Sequence, residues 1–232
     1  MDFKCSFGNS LRVSANPPLS GAPSCDVSAL PLVEEWPLLP NHEIHMGRLA
    51  QFGVIELEDV LEAIQQCPRG AHALPFPLHE EVTNLEASSL RIPWWVGVDM
   101  HHSLLPGLFE TSQIMQLLQL EKGDSVLLLG PRGNWWTELL MYIGAERIVV
   151  LEPDEVRREV LAERWHELRL DVVAKAFDCE IDLIGVDQLD DYTPQIGFDR
   201  VISTGMFSSL PLSIMMRVQD QGYAVLPIQN EG

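Results

Sequence analysis

Between residues 125 and 228 the sequence alternates short, continuous apolar runs with longer segments of helical periodicity. The apolar runs have the length of β-strands and lie at 125–130, 147–152, 181–186, 198–203 and 222–228. The helical segments between them lie at 134–144, 153–170 (with Pro153 at its first position) and 211–219. Strands that are apolar on both faces and alternate with helices are typical of a parallel sheet covered by helices on both sides. The pattern therefore predicts a Rossmann-like α/β fold.

Three regions are predicted along the chain. Residues 1–40 are rich in Ser, Pro and Gly without sustained periodicity, and we interpret them as a flexible N-terminal arm. Residues 41–90 are predicted to form a cap of helix and loop, with the helix near 55–67. The Rossmann-like domain is expected over 91–232, and a helix at 111–120 precedes its first strand.

Charge and hydropathy exclude several classes of partner. Fifteen basic residues against thirty-four acidic ones give a formal net charge of −19, which repels nucleic-acid phosphates, so we expect no nucleic-acid partner. No apolar run reaches the ~18 residues that span a bilayer, so no membrane partner is expected. The first residues lack the pattern of a secretory signal, and we expect a cytoplasmic protein.

The cysteines do not predict a metal or disulfide site. All four are far apart and form no C-x-x-C pair, at Cys5, Cys25, Cys67 and Cys179. We interpret them as reduced thiols and predict no metal site.

Three positions at the ends of predicted strands carry candidate binding groups. In a doubly wound sheet, ligands bind at the carboxyl ends of the strands, beside the switch in strand order. The turn after the first strand is at Gly130, and Glu152 ends the second strand 22 residues later, a spacing suited to a carboxylate that accepts ribose hydroxyls. Asp187 follows the third strand, where it can accept from an adenine amino group.

From about residue 47 onward the chain resembles protein-L-isoaspartate O-methyltransferases. The matching segments include LEKGDSVLLLG at 120–130, the acid Glu152 in VVLEPD, the aspartate Asp187 in GVDQLDDY, FDRVIST at 198–204 and QGYAVLPI at 221–228. The resemblance implies a Rossmann-like fold and S-adenosylmethionine (SAM) as cofactor. It also implies a cofactor-binding set, comprising Gly130, Arg132, Gly133, Glu152 and Asp187.

The turn after the first strand departs from the pattern of this family, an acid followed by G-x-G-x-G. Leu128 stands at the acidic position and Gly130 is kept, while Arg132 and Asn134 replace the second and third glycines. Arginine and asparagine carry side chains where glycine lets the backbone approach a ligand. Two interpretations remain open: Arg132 pairs with the carboxylate of the methionine moiety, or protein fills the cleft and no cofactor enters.

The substrate loop of the family also differs here. A T-x-S pair of hydroxyls holds the isoaspartyl carboxylate in the resembled family, and the corresponding positions are Leu104 and Pro106. Neither side chain donates a hydrogen bond. Ser103 is one residue away and compensates only if the register shifts, so isoaspartyl repair is not expected and no catalytic residue is assigned.

Proteins of this fold usually have two more strands after the one predicted at 222–228. The sequence stops at residue 232, so we expect a sheet that lacks the last two strands, unless the sequence is cut short. An uncovered edge invites pairing with another chain, which predicts a homodimer or another protein partner.

Two functions remain as hypotheses. Glu152, Asp187 and the family pattern favour an active SAM-dependent methyltransferase of the protein-carboxyl type. The altered turn, the lost hydroxyls and the short sheet favour a non-catalytic relative that acts as an interaction or regulatory subunit.

Overall fold

A parallel sheet of five strands lies at the centre of the part of the chain that the structure describes. The computed structural model describes residues 49–51, 53–67, 69–72 and 105–229. The strands are β1 (Ser125–Leu129), β2 (Arg147–Leu151), β3 (Glu180–Ile184), β4 (Phe198–Ser203) and β5 (Val218–Val225). Their order is β3-β2-β1-β4-β5, and every neighbouring pair is parallel. The predicted Rossmann-like α/β fold is confirmed.

Helices lie between the strands and cover both faces of the sheet. They are α1 (Glu58–Gln66), α2 (Leu108–Leu118), α3 (Trp135–Ile143), α4 (Glu155–Glu167), α5 (Leu170–Ala176), α6 (Leu189–Tyr192) and α7 (Leu212–Met215). Short 3-10 helices occur at Arg69–His72 and Val186–Gln188. None of the helices in the described ranges has both the length and the apolar character that a membrane span requires.

Alternate residues of each central strand enter two separate cores. In β1, Val126 and Leu128 pack with the helices α1, α2, α3 and α5, whereas Leu127 and Leu129 pack with α6 and α7 on the other face. The four side chains are at most 5 % exposed, because helices cover both faces of the strand. This explains why β1 is apolar at every position from Val126 onward.

Helix α1 shares the larger core with the sheet. Its buried residues Val60, Ala63 and Ile64 belong to the same cluster as Val126 of β1. The predicted division of the chain at residues 40 and 90 stays a prediction, because residues 1–48 and 73–104 lie outside the described residues.

The segment predicted as one helix from Pro153 to residue 170 forms part of two helices. Asp154 is the N-cap of α4, and its carboxylate accepts a hydrogen bond of 2.9 Å from the Arg157 backbone N–H. Pro153 therefore precedes the helix and is not its first residue. Arg169 has a left-handed φ of 54°, which separates α4 from α5. The prediction was wrong because the sequence pattern carries no glycine or proline at this break.

Three other boundaries also differ from the prediction. Helix α1 begins at Glu58 rather than near residue 55, and α2 begins at Leu108 rather than at Thr111, whose N–H already donates to Gly107 O at 3.0 Å. Helix α7 has only four residues, and Val218 belongs to β5, paired with Phe198 of β4. Pairing with β4 thus extends β5 into residues that were predicted to be helical.

Candidate functional site

The strand order reverses between β1 and β4, and the turn after β1 lies at this switch point. Gly130 has a φ of +53° and Gly133 a φ of +90°, conformations that residues with a Cβ rarely adopt. The Gly130 N–H donates to Leu151 O of β2 at 2.8 Å. The Thr204 hydroxyl, just after β4, donates to Gly130 O. The turn is therefore held by both neighbouring strands.

A Cβ at Gly130 would have no heavy atom within 4 Å apart from its chain neighbours. The positive φ, and not a close approach by another part of the protein, therefore requires glycine at this position. Open space beside Gly130 is compatible with a ligand against the turn.

Asn134 and the two tryptophans after it point into the protein. Asn134 Nδ2 donates to Leu161 O of α4 at 3.0 Å. Trp135 Nε1 donates to Cys67 O at 2.9 Å, and Trp136 Nε1 donates to Thr111 Oγ1 at 3.0 Å. These bulky residues fix α3 against α1, α2 and α4, so the departure at Asn134 serves packing between helices.

Arg132 lines a small cleft on the other side of the turn. The cleft measures about 20 Å³ and is bordered by Pro106, Glu110, Ile114, Arg132, Trp136, Ser203, Thr204 and Pro227. Burial lowers the pKa of the Arg132 guanidinium, the negative charge of Glu110 opposes that shift, and the positive charge of Arg157 adds to it. Arg132 thus shares with Glu110 of α2 a cleft that has room for about one water molecule.

Pro106 is buried at the edge of this small cleft, just before α2. Its side chain has no hydroxyl, as the sequence implied. Ser103 and Leu104, the other positions predicted for the substrate loop, lie outside the described residues. The structure thus places one of the three substrate-loop positions beside Arg132.

Two hydroxyls of the small cleft were missed in the sequence. Ser203 ends β4 and Thr204 follows it, and Ser203 Oγ is 3.0 Å from both the N and the O of Gly205. Their position at the carboxyl end of a strand beside the switch point is the signal that identifies them.

Glu152 is a buried acid at the end of β2, with only 2 % of its surface exposed. Its Oε1 accepts a hydrogen bond of 3.0 Å from the Asp154 N–H. Its Oε2 is buried and has no hydrogen bond, although Arg157 Nη2 lies 3.4 Å away. Burial raises the pKa of this carboxyl group, and the Asp154 N–H and Arg157 only partly oppose the increase.

The two arginines of the first turn of α4 both contact the Glu152 region. Arg157 Nη2 lies 3.4 Å from Pro131 O as well as from Glu152 Oε2, so it spans the gap between the turn and the acid. Arg158 Nη1 donates to Glu152 O at 2.9 Å. Neither arginine was predicted as a site residue. The available signal was two cations in the first turn of a helix, where the helix dipole favours anions.

Asp187 is exposed in the short helix after β3. The Glu152 N–H donates to Ile184 O at 3.1 Å, so the ends of β2 and β3 are joined. A Cβ on the intervening Gly185 would lie 2.7 Å from Asp187 Oδ1 and 3.2 Å from Arg158 Nη1. The five predicted cofactor residues therefore follow β1, β2 and β3 at the same edge of the sheet, and their role in binding stays a prediction.

The described cysteines are buried thiols without a disulfide. Burial is the main cause that raises the pKa of the Cys67 thiol, and the negative charge of Glu138 adds to it. Burial is also the main cause that raises the pKa of Cys179, to about 12. Cys5 and Cys25 lie outside the described residues. Within the ranges that the structure describes, no group of three or more His, Cys, Asp or Glu side chains is placed to hold a metal ion.

Comparison with known proteins relates the chain to others by structure. No family model matches the chain, and no curated protein matches it in sequence. A structure named protein-L-isoaspartate O-methyltransferase matches with a TM-score of 0.62 and 17 % identity, over 81 % of this chain and 55 % of that one. The chain thus spans only about half the length of that protein.

A Plasmodium falciparum structure also named for protein-L-isoaspartate O-methyltransferase, in complex with S-adenosyl-L-homocysteine, matches with a TM-score of 0.64. It is 15 % identical, over 82 % of this chain and 85 % of that one. At such identities the likeness establishes the fold and not the activity. The chain has the Rossmann-like fold of SAM-dependent methyltransferases, and the resemblance to protein-L-isoaspartate O-methyltransferases inferred from its sequence is confirmed at the level of structure.

Proposed function

We propose that this protein binds SAM at the carboxyl ends of β1 and β2 and transfers its methyl group to an acceptor other than an isoaspartyl residue. The observation that carries the proposal is the Glu152 carboxylate, which is buried at the end of β2 while its Oε2 lacks a hydrogen bond. A buried acceptor without a donor costs about 1–3 kcal/mol. A ligand that brings hydroxyl groups would remove that cost.

The ribose of SAM has two neighbouring hydroxyls that suit this carboxylate. Oε1 of Glu152 is already engaged by the Asp154 N–H, whereas Oε2 has no hydrogen bond, with Arg157 Nη2 3.4 Å away. The left-handed conformations of Gly130 and Gly133 turn the chain from β1 into α3, and a glycine turn that leads into a helix N-terminus suits an anionic or nucleotide ligand. These features support Glu152 as the residue that holds the ribose.

The remaining predicted residues have complementary roles in this proposal. Asp187, exposed after β3, would accept from the adenine amino group. Arg132, on the other side of the turn, would pair with the methionine carboxylate. Bound SAM supplies an activated methyl group, so the protein has mainly to orient the acceptor and exclude water.

The small cleft favours an acceptor other than an isoaspartyl carboxylate. Pro106 stands where the resembled family has a hydroxyl, and it cannot donate a hydrogen bond to a carboxylate. Arg132, Ser203 and Thr204 line the same cleft and offer a different set of polar groups. We therefore propose that the acceptor approaches these polar groups from outside the cleft, which has room for only about one water molecule, and we leave its identity open.

A non-catalytic role is the second candidate, and two observations favour it. The small cleft measures only about 20 Å³, and Arg157 spans the space between Pro131 O and Glu152 Oε2. In that case the methyltransferase fold serves as an interaction or regulatory module.

We also propose the cytoplasm as the compartment of this protein, which the reduced thiols of Cys67 and Cys179 support.

Calorimetric titration of the full chain with SAM and with S-adenosyl-L-homocysteine tests the proposal. We expect binding of both ligands, since both carry the same ribose, adenine and carboxylate. Absence of heat and of any thermal shift at millimolar ligand would reject the methyltransferase proposal and favour the non-catalytic one. Binding together with transfer of a labelled methyl group to an acceptor would support catalysis.

A further inference from the structure

The Arg157 side chain joins the two places that the proposed function assigns to the ligand. Its Nη2 lies 3.4 Å from Glu152 Oε2, at the proposed ribose position, and 3.4 Å from Pro131 O in the turn after β1. About a third of the side chain is exposed, whereas Glu152 is almost fully buried. The Arg157 guanidinium thus lies beside the buried carboxylate of Glu152 on its more exposed side, and a ligand that reaches Glu152 has to displace this guanidinium.

Both contacts of the Arg157 guanidinium are long. Charge-assisted hydrogen bonds between arginine and a carboxylate are typically about 2.7–2.9 Å. At 3.4 Å, the pair attracts by charge while Glu152 Oε2 remains without a hydrogen bond. Replacing this contact with a ligand hydroxyl therefore gives Glu152 a hydrogen bond that it lacks in the free protein.

The backbone of Arg157 is fixed while its side chain is partly exposed. The Arg157 N–H donates to Asp154 Oδ1 at 2.9 Å, within the N-cap of α4. The guanidinium can move from Glu152 without any change in the helix, because the side chain turns about this anchored position.

A second arginine, Arg132, lies in the turn itself and borders the small cleft. The positive charge of Arg157 lowers the pKa of Arg132, and the negative charge of Glu110, which borders the same cleft, opposes that shift. The two guanidinium groups repel each other, while Glu152 lies near Arg157 and Glu110 borders the cleft of Arg132. An anion from a ligand, placed between the two arginines, would relieve that repulsion.

We propose that Arg157 exchanges partners when ligand binds. In the free protein it pairs with Glu152; in the complex Glu152 holds the ribose hydroxyls and Arg157, beside Arg132, holds the carboxylate of the same ligand. This inference rests on the proposed function. It identifies Arg157 as a residue that selects ligands carrying both a vicinal diol and an anionic group.

The exchange predicts opposite effects of Arg157 on two classes of ligand. S-adenosyl-L-homocysteine brings both the diol and the carboxylate, so it loses a charge-assisted contact when Arg157 is removed. 5′-Methylthioadenosine has the same ribose and adenine but no carboxylate. It gains access to Glu152 without competition when Arg157 is removed.

The experiment is calorimetric titration of wild type, Arg157→Gln and Arg164→Gln with both ligands. Arg164 is the matched control, because it carries the same charge on the same helix and its Nη1 contacts Glu167 Oε2 at 2.6 Å. We expect Arg157→Gln to weaken the binding of S-adenosyl-L-homocysteine by about tenfold or more. The affinity for 5′-methylthioadenosine should be unchanged or higher. Arg164→Gln should leave the ratio of the two affinities as in wild type.

Equal weakening of both ligands in Arg157→Gln, or no change in either, would overturn the exchange while leaving the proposed function intact. Absence of binding by wild type and variants alike would overturn both proposals. Should Arg157→Gln not fold, Arg157→Lys provides the test, because it retains the charge but not the planar fork. A reduced preference for S-adenosyl-L-homocysteine would support the exchange, and an unchanged preference would contradict it.

Discussion

Glu152 Oε2 and Arg157 Nη2 lie 3.4 Å apart at the carboxyl edge of the sheet, the acid almost fully buried and the arginine partly exposed. The pairing is incomplete, because Oε2 has no hydrogen bond and the pKa of the carboxyl group is raised by burial. A charge held at such a cost to stability is typical of a residue retained for function.

Glu152→Gln should stabilise the protein at neutral pH. The pKa of Glu152 is raised above its ordinary value of 4.5 in the folded state, so the folded state binds this proton more readily than the unfolded state. The contribution of Glu152 to the free energy of unfolding is therefore most favourable below pH 4.5, and it is lost as the pH rises through the pKa of the folded state. Glutamine removes this loss and keeps the acceptor for the Asp154 N–H.

Thermal melting at pH 4 and pH 7 measures this effect. The melting temperature of Glu152→Gln should exceed that of wild type at pH 7, by about 2–4 °C for each ~1 kcal/mol, with a smaller difference at pH 4. The exposed neighbour Glu155 serves as control. The melting temperature of Glu155→Gln should differ little from that of wild type at both pH 4 and pH 7. A wild type that is more stable than Glu152→Gln at pH 7 would contradict the assigned environment.

Glu152→Ala should weaken the binding of SAM and of S-adenosyl-L-homocysteine. Loss of a charge-assisted hydrogen bond to the ribose corresponds to ~1.5–3 kcal/mol in calorimetric affinity. Glu155→Ala, on the exposed first turn of α4, should bind as wild type does. Equal affinities of Glu152→Ala and wild type would mean that the ligand lies elsewhere.

The protein should not methylate isoaspartyl peptides. Pro106 lies beside the small cleft without a hydroxyl, so an isoaspartyl carboxylate lacks the hydroxyl donor that the resembled family has at this position. The measurement is transfer of a labelled methyl group from SAM to a peptide with one isoaspartyl residue, compared with the same peptide containing aspartate. Turnover of the isoaspartyl peptide alone would refute this interpretation of Pro106.

His72→Ala should destabilise the protein by about 1–3 kcal/mol. His72 Nε2 donates to Glu138 Oε2 at 2.6 Å, and the two side chains are only 1 % and 17 % exposed. Removing the donor leaves a largely buried carboxylate on α3, which a urea titration would detect as a lower midpoint. The control is Glu167→Gln, whose carboxylate is 60 % exposed and should change stability by less than about 0.5 kcal/mol.

We expect the purified protein to form a dimer through the β5 side of the sheet. Among the described strands β5 is outermost beside β4, and apolar side chains near it are exposed, including Met216 at 87 % and Tyr223 at 48 %. Light scattering at micromolar concentration should give the mass of a dimer, and Met216→Lys should shift it toward the monomer. Val172→Lys, on α5 beside the opposite strand β3, should have no effect, and a monomeric wild type would contradict the prediction.

The parallel sheet was predictable because each central strand is apolar on both faces, as Val126 to Leu129 illustrate. Element boundaries were less predictable. Arg169 separates α4 from α5 by a left-handed conformation that no glycine marks, and Val218 joins β5 because a neighbouring strand pairs with it. The periodicity of apolar residues does not predict these two boundaries. The first depends on a backbone conformation, and the second depends on pairing with a strand that is distant in sequence.

The amino-acid sequence was enough to predict the fold class and the positions of Gly130, Glu152 and Asp187 after successive strands, because hydrophobic period and spacing along the chain are local properties. The folded arrangement was needed to show that Asn134 points inward, that Ser203 and Thr204 line the small cleft, and that Arg157 lies beside Glu152. Side-chain direction depends on which elements pack together, and the burial that raises the pKa of Glu152 exists only once the sheet and its helices have assembled.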